Sequence, residues 1–352
     1  MATLQATTIN GSSPVAGALE VSGSSIQLPS IANANTGSFT TPGMMWVNST
    51  NGNLQFIAGP VQFAGAFSLT NNANIKAGGG GAGTQNAALR LKGQYCADYC
   101  SFTEEYNGTS WSNANKMNCG RNEQIAAGTQ NAAVGVGGIP GCGLCTEEYN
   151  GTNWATATAF PFKCVQGRAL LGTQNAAITV SGNNSICPAP TSYICDVHLY
   201  NGTNWASKNP IPVNNQNTRG HSGGGTSNAA IYINCCCQDY EFNGTNWSSA
   251  PSHGFVIHSS VYQSMQGNSQ STVLYAGAGG AWYSNTSVQG WEYNGTNWSR
   301  TTDIPASMAG TSTSGGSDGA VIAGNFNGFS QAATSYEYNA GPYGCFLGTV
   351  TI

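Results

Sequence analysis

Charged side chains are scarce in this sequence. Lys, Arg, Asp and Glu make up 7% of its 352 residues, against about a quarter in ordinary soluble domains. Ten Lys and Arg spread over such a length form no basic stripe, so the electrostatic footprint of a nucleic-acid binder is missing. No apolar run reaches the ~18 residues a membrane helix needs, and membrane insertion is not expected. The start, MATLQATTINGSSPVAG, has neither a charged leader nor an apolar stretch behind it, unlike a secretory signal peptide. No nucleophile motif, phosphate loop or calcium loop is visible. Of the four histidines, His198 holds a repeat position, His221 lies in a Gly-rich turn, and His253 and His258 share one blade but lack a matching carboxylate for a metal site. No cofactor, no metal and no catalytic residue are therefore expected, and the chain does not read as an enzyme.

Glycine, amides and hydroxyls take the place of the missing charge, with 48 Gly and 10% aromatic residues. Such a composition would suggest disorder were it not for a strict repeat. Tyr149-Asn150-Gly151-Thr152-Asn153-Trp154 is one of six near-copies. The others begin at Tyr106, Tyr200, Phe242 and Tyr293, with a decayed sixth, YNAGPY, at Tyr338. Asn-Gly between strand-favouring aromatics predicts a tight type I′ hairpin. Trp111, Trp154, Trp205, Trp247 and Trp298 recur at spacings of 43, 51, 42 and 51 residues. Periods of about 40 to 50 residues holding several short strands are those of propeller blades. A second element precedes each hairpin: GTQNAALRL from Gly83, GTQNAAVGV from Gly128, GTQNAAITV from Gly172 and GTSNAAIYI from Gly225. Looser versions begin at Asn268 and Gly316. Each blade then has an inner strand ending near the GTQ turn, a buried second strand, a third bearing the Tyr and an outer one bearing the Trp. Six blades are expected, or seven if the N-terminal segment supplies one. Phe63 to Gly79 reads as the first inner strand, and Gly341–Ile352 as completing the last blade or the ring closure.

These motifs carry a resemblance. An aliphatic strand, a glycine and later a Tyr and a Trp look like the kelch repeat, and GTQNAA…EEYNGTNW looks like the kelch-like repeats of marine phage structural proteins. The likeness covers roughly residues 64–344. The kelch Gly-Gly doublet stands at Gly137-Gly138 and Gly279-Gly280, whereas Lys92-Gly93 and Ser181-Gly182 replace it elsewhere. The NGTNW turn is also similar to the Asp box of sialidases, but its Asp is missing, so the likeness concerns geometry and not chemistry. Galactose oxidase shares the kelch architecture, yet nothing here singles out a copper-ligand set. PGMMWVNSTNGNLQF, from Pro42 to Phe56, resembles a hairpin of phage fibre proteins that precedes a distal domain.

Domain organisation follows: an extended, β-rich attachment segment over 1–58 and an all-β propeller over 59–352. Of the twelve cysteines, eleven gather in particular loops and Cys345 lies in the C-terminal tail. Cys96, Cys100, Cys142, Cys145, Cys187, Cys195 and Cys235–Cys237 fall between second and third strands, and Cys119 and Cys164 between an outer strand and the next inner one. Both kinds of loop emerge on one face of a propeller. Disulfide staples are the expected reading, with Cys96–Cys100, Cys142–Cys145 and Cys187–Cys195 as within-loop pairs, although spacing does not fix connectivity. Zinc is the rival reading for Cys142-Gly-Leu-Cys145, but no second C-x-x-C follows. Glu104-Glu105 and Glu147-Glu148, echoed by Glu292 and Glu337, recur as a repeat and so read as solvated strand-edge residues. Asn107, Asn150, Asn201, Asn243 and Asn294 fit N-x-S/T, which the turn itself explains.

The resemblance implies a structural, surface-displayed virion protein, a phage tail fibre or capsid decoration, in several copies on one particle. It would be assembled in the host cytoplasm, hold other virion proteins through residues 1–58 and bind a host glycan or other surface receptor. Trp282, Tyr283 and Tyr193, in the variable loops, are the expected contact aromatics. Two other classes stay open: a subunit of an extracellular filament or adhesin, and a secreted propeller enzyme.

Overall fold

The computed structural model describes residues 30–31, 45–48, 54–62, 65–73, 79–91, 101–121, 124–138, 144–161, 169–183, 193–212, 222–233, 238–254, 265–267, 269–276, 288–306, 308, 311–326, 331–340 and 343–350. Every regular element among them is a β-strand. The chain divides into two compact units, one made of Met1–Gln62 with Tyr343–Ile352 and the other of Phe63–Pro342.

The larger unit is a six-bladed β-propeller of four-stranded antiparallel sheets. Blade one comprises Gly81–Thr84, Ala87–Leu91, Thr103–Tyr106 and Trp111–Ala114; blade two, Ile125–Thr129, Ala132–Val136, Thr146–Tyr149 and Trp154–Thr156. Blade three comprises Ala169–Thr173, Ala176–Asn183, Tyr193–Tyr200 and Trp205–Lys208; blade four, Ser222–Thr226, Ala229–Ile233, Asp239–Phe242 and Trp247–Ala250. Blade five comprises Met265–Gly267, Val273–Ala276, Gly290–Tyr293 and Trp298–Arg300. The sixth has Ser312–Gly316, Gly319–Phe326 and Gln331–Asn339, and takes its outer strand, Ala66–Thr70, from the start of the unit. Each inner strand lies beside those of its two neighbouring blades, closing a ring.

This corrects the reading of residues 63–79. Ala66–Thr70 is an outer strand, with Phe67 opposite Tyr338 and the two rings 4.8 Å apart. Phe67 thus takes the place that Trp holds in the other five blades. The sixth hairpin, YNAGPY, has no Trp because its outer strand comes from the other end of the chain. The tail also differs from expectation. Tyr343–Val350 pairs with Leu54–Gln62 in a sheet that includes Met45–Asn48 and Ser30–Ile31, and it does not belong to a blade.

The two turn motifs exchange roles. The two-residue loops are at Gln-Asn: Thr84 pairs with Ala87, Thr129 with Ala132 and Thr173 with Ala176. In the NGTN motif Tyr149 pairs with Trp154, leaving a four-residue loop in place of a type I′ turn. The reason is the Asn side chain. Asn150 Oδ1 accepts the N–H groups of Thr152 and Asn153 at 3.0 and 2.8 Å, and Gly151 supplies the positive φ of 86°. Asn107, Asn201, Asn243 and Asn294 each accept the same two bonds.

Apolar packing follows the ring. Six clusters of buried residues each join two adjacent blades, among them Leu89, Leu91 and Met117 with Ala126, Tyr149 and Trp154 at the first junction. Second strands such as Ala132–Val136 contribute both faces to these layers, which is why they are continuously apolar.

Candidate functional site

Polar bonds cross each of the same junctions. The hydroxyl of Tyr149 donates to Glu105 of the preceding blade at 2.7 Å, Tyr200 to Glu148 at 2.9 Å, Tyr293 to Glu241 at 2.5 Å and Tyr106 to Glu337 at 2.5 Å. Tyr338 bonds Glu292 in the same way. At the junction of blades three and four both partners change together: Phe242 stands in the Tyr position and Leu199 in the Glu position. Burial, reinforced by the adjacent carboxylate, pushes Tyr106 up to about 12 and raises Tyr149, Tyr200, Tyr293 and Tyr338 further. Burial also raises Glu292, opposed by its bond from Tyr338.

The repeated glutamates are therefore not solvated edge residues. Glu105, Glu148, Glu241, Glu292 and Glu337 are interblade acceptors. Glu104 and Glu147 are wholly buried against Arg90 and Arg121, at 3.7 and 3.0 Å. Burial holds Arg90 down at about 10, with Glu104 opposing the shift, and lowers Arg121 likewise. A buried carboxylate without its cation would be costly, so these pairs read as one structural unit each.

Two more side chains of the repeat reach the preceding blade. Gln130 Nε2 donates to the carbonyls of Ala88 and Tyr106, and Gln174 to those of Ala133 and Tyr149. Gln85 does the same to Tyr338 across the ring closure. Trp154 and Trp205 donate Nε1–H to Thr103 and Thr146, and Trp298 to Asp239. Trp247 faces Val197, which has no acceptor, and turns to the Asn209 carbonyl at 3.0 Å. Each ring stacks on its own-blade partner at about 5 Å, as in Tyr106–Trp111 (5.0 Å) and Phe242–Trp247 (4.8 Å). Trp111 and Trp154 are buried and Trp205, Trp247 and Trp298 are partly exposed.

The Gln bonds and the Asn-closed loops lie on the side of the ring bearing the hairpin turns. A cavity of about 160 Å³ there is lined by glycines, Leu171, Thr129, Thr173 and Thr226, with no ionisable group. The opposite side carries the loops joining second to third strands and each outer strand to the next inner one. Trp282 and Tyr283 fall outside the described residues, and Tyr193 is described only as part of a strand. Cys96, Cys100, Cys142 and Cys187 are outside as well, as are His221 and His258. Cys195 lies at the start of a third strand, its carbonyl accepting from Ile211 at 3.1 Å. Cys145, expected with Cys142, has Cys119 Sγ at 3.0 Å.

Two histidines are described here. His198 is buried edge-on to Phe160, ring centroids 5.6 Å apart. His253 Nδ1 meets Asp239 Oδ1 at 2.5 Å, both side chains fully buried; burial raises Asp239 while His253 opposes the shift. Asp239 also accepts from Trp298, so the pair is built into the junction of blades four and five. Among the described residues no three His, Cys, Asp or Glu side chains gather as a metal site.

The fold defines a six-bladed β-propeller. Among solved structures, the one titled "Structure of YjhT" matches with a TM-score of 0.56 and 11% identity, over 81% of this chain and all of the other. At that identity the likeness concerns the fold alone. No family model matches the sequence, and no curated protein does.

Proposed function

We propose that this protein is a non-enzymatic structural component displayed on a virus particle, of the phage tail-fibre or capsid-decorating type. Its propeller binds a host glycan or another surface receptor through the face made by the variable loops. The observation that supports this reading is how differently the two sides are used. On the turn side, Gln85, Gln130 and Gln174 hold neighbouring blades together and each Asn-closed loop is fixed by bonds within itself, so that side is uniform for internal reasons. Length variation in the sequence is concentrated between second and third strands, as within Ser181–Cys195 and Ala276–Gly290, where recognition residues can change without loosening the ring. Residues 1–58, whose stretch from Pro42 to Phe56 resembles a phage-fibre hairpin, attach the protein to other virion proteins. Several copies per particle turn weak, charge-poor contacts into firm attachment.

Replacing Trp282 and Tyr283 with Ala and measuring adsorption of intact particles to host cells tests the site. Adsorption should fall severalfold, and unchanged adsorption refutes the assignment of this face. Co-purification with capsid or tail proteins tests the particle role. Polymerisation of the protein alone would favour a filament, and turnover by a monomer an enzyme.

A further inference from the structure

In the hairpin loops of blades one to five an asparagine stands directly before a glycine: Asn107, Asn150, Asn201, Asn243 and Asn294. All five are exposed, and all five are held alike. Each Oδ1 accepts the N–H groups two and three residues on, at 2.7–3.1 Å. Two backbone donors on one carbonyl oxygen stabilise negative charge that develops there. A backbone bond from each asparagine N–H to the carbonyl three residues on, at 3.1–3.3 Å, fixes the loop around that oxygen. The other reacting groups are left unengaged. Among the described residues neither the five side-chain amide nitrogens nor the N–H groups of the five following glycines take a hydrogen-bond partner. Those glycines have φ of 85–89° and no Cβ to shield their nitrogens. A nucleophile, a cradle for an oxyanion and an exposed leaving group thus meet at each loop.

We propose that these five asparagines deamidate to aspartate in the folded protein, so that the loops acquire carboxylates as the protein ages. At Asn150, hydroxide takes the proton of the Gly151 N–H and becomes water. The freed nitrogen attacks Asn150 Cγ, and the negative charge gathers on Oδ1, where the Thr152 and Asn153 N–H groups already point. The Cγ–Nδ2 bond then breaks, ammonia leaves with a proton from water, and hydroxide is regenerated. A five-membered cyclic imide remains, and water opens it. The two donors polarise the Cγ carbonyl and not the main-chain one, so water adds at Cγ. The bond from Cγ to the Gly151 nitrogen breaks, and that nitrogen recovers its proton. The product is aspartate in preference to isoaspartate, and the sum is amide plus water giving carboxylate and ammonium. Aspartate keeps both N–H bonds and makes them charge-assisted. Each conversion adds one negative charge to a chain whose net charge is −4. The inference stands on these loops alone and does not depend on the virion reading.

The test ages the intact protein in mildly alkaline buffer, once folded and once unfolded in guanidinium chloride. Peptide mapping that separates aspartate from isoaspartate follows the five sites. The folded protein should convert them at least as fast as the unfolded chain does, with aspartate in excess over isoaspartate. Conversion that requires unfolding overturns the proposal, and so does an excess of isoaspartate in the folded protein. Asn150→Asp should match or exceed the parent's urea midpoint at neutral pH. A lower midpoint shows that the loop rejects the product and also overturns the proposal.

Discussion

The Tyr–Glu bonds between blades allow a quantitative test, because the protein carries its own control at one junction. At the first junction Tyr149→Phe removes the hydroxyl that donates to Glu105 at 2.7 Å and leaves a half-buried carboxylate with one bond fewer. Hydrogen bonds to charged groups contribute roughly 1.5–3 kcal/mol. Glu105 is only partly screened from water, so a loss of about 1–2 kcal/mol is expected. Glu105→Leu strands the tyrosine hydroxyl instead and should cost a similar amount. The double variant reproduces the Leu199 and Phe242 pairing at the junction of blades three and four, where an apolar contact replaces the bond and Phe242 is buried in an interblade cluster. Its cost should fall short of the sum of the two single costs by about 1–2 kcal/mol, the coupling expected of residues in direct contact. Urea titrations followed by far-UV circular dichroism and by tryptophan fluorescence supply the cycle, with an unchanged m-value as the check that the folded state is the same. Additive costs would refute the claim that this pair acts as a unit. A neutral Tyr149→Phe would refute the claim that it matters to stability.

Three other outcomes follow from the same geometry. Tyr106, at about 12, lies above its unfolded value of ~10, so its contribution is complete below pH ~10 and is lost as pH rises through ~12; a difference in tyrosinate absorbance between the parent and Tyr106→Phe that appears near pH ~10 in the folded protein would contradict this. Gly128 has φ of 114°, and a Cβ there would come within 2.3 Å of the Ala132 carbonyl oxygen, so Gly128→Ala should lower stability by more than ~1 kcal/mol, an effect that thermal melting would reveal. Trp154→Ala empties a site packed against Leu89, Leu91 and Met117 of the preceding blade and should cost about 3–5 kcal/mol; a melting temperature within a degree of the parent would exclude that packing role.

Much of this architecture is legible in the repeat. Six Tyr positions and six small-residue turns announce six blades, because each blade must repeat the same alternation of turn and buried strand. The role of the glutamates is not legible one repeat at a time. A Glu on a short strand reads as solvated until the Tyr of the next copy is set beside it. The signal was nevertheless present: Leu199 replaces Glu in the third copy, and Phe242 replaces Tyr in the fourth. A substitution shared between consecutive copies, and not within one, marks contact across a junction. The turns misled for a different reason. Asn-Gly suggests two left-handed residues, but Asn150 spends its side chain on two backbone donors and so closes a longer loop. The closing strand was obscured by distance along the chain, since the strand paired with Tyr336 and Tyr338 lies more than 260 residues earlier in sequence.

That closing strand has a mechanical consequence. Ala66 is opposite Asn339 and Thr70 is opposite Ser335, so the two ends of the propeller chain leave from the same end of an antiparallel pair. Force drawing them apart would break the hydrogen bonds one after another, as in opening a zipper, and not all together in shear. Between the chain ends and that pair, the same two segments are joined again, from Gln62 opposite Tyr343 out to Leu54 opposite Val350. Tension applied at both termini must peel this outer ladder, with Ser30–Ile31 and Met45–Asn48 paired beside it, before any load reaches Ala66 or Asn339. The ladder therefore serves as a mechanical fuse for the ring. A single-molecule stretching trace should show the release of this sheet first, with the blades following only afterwards.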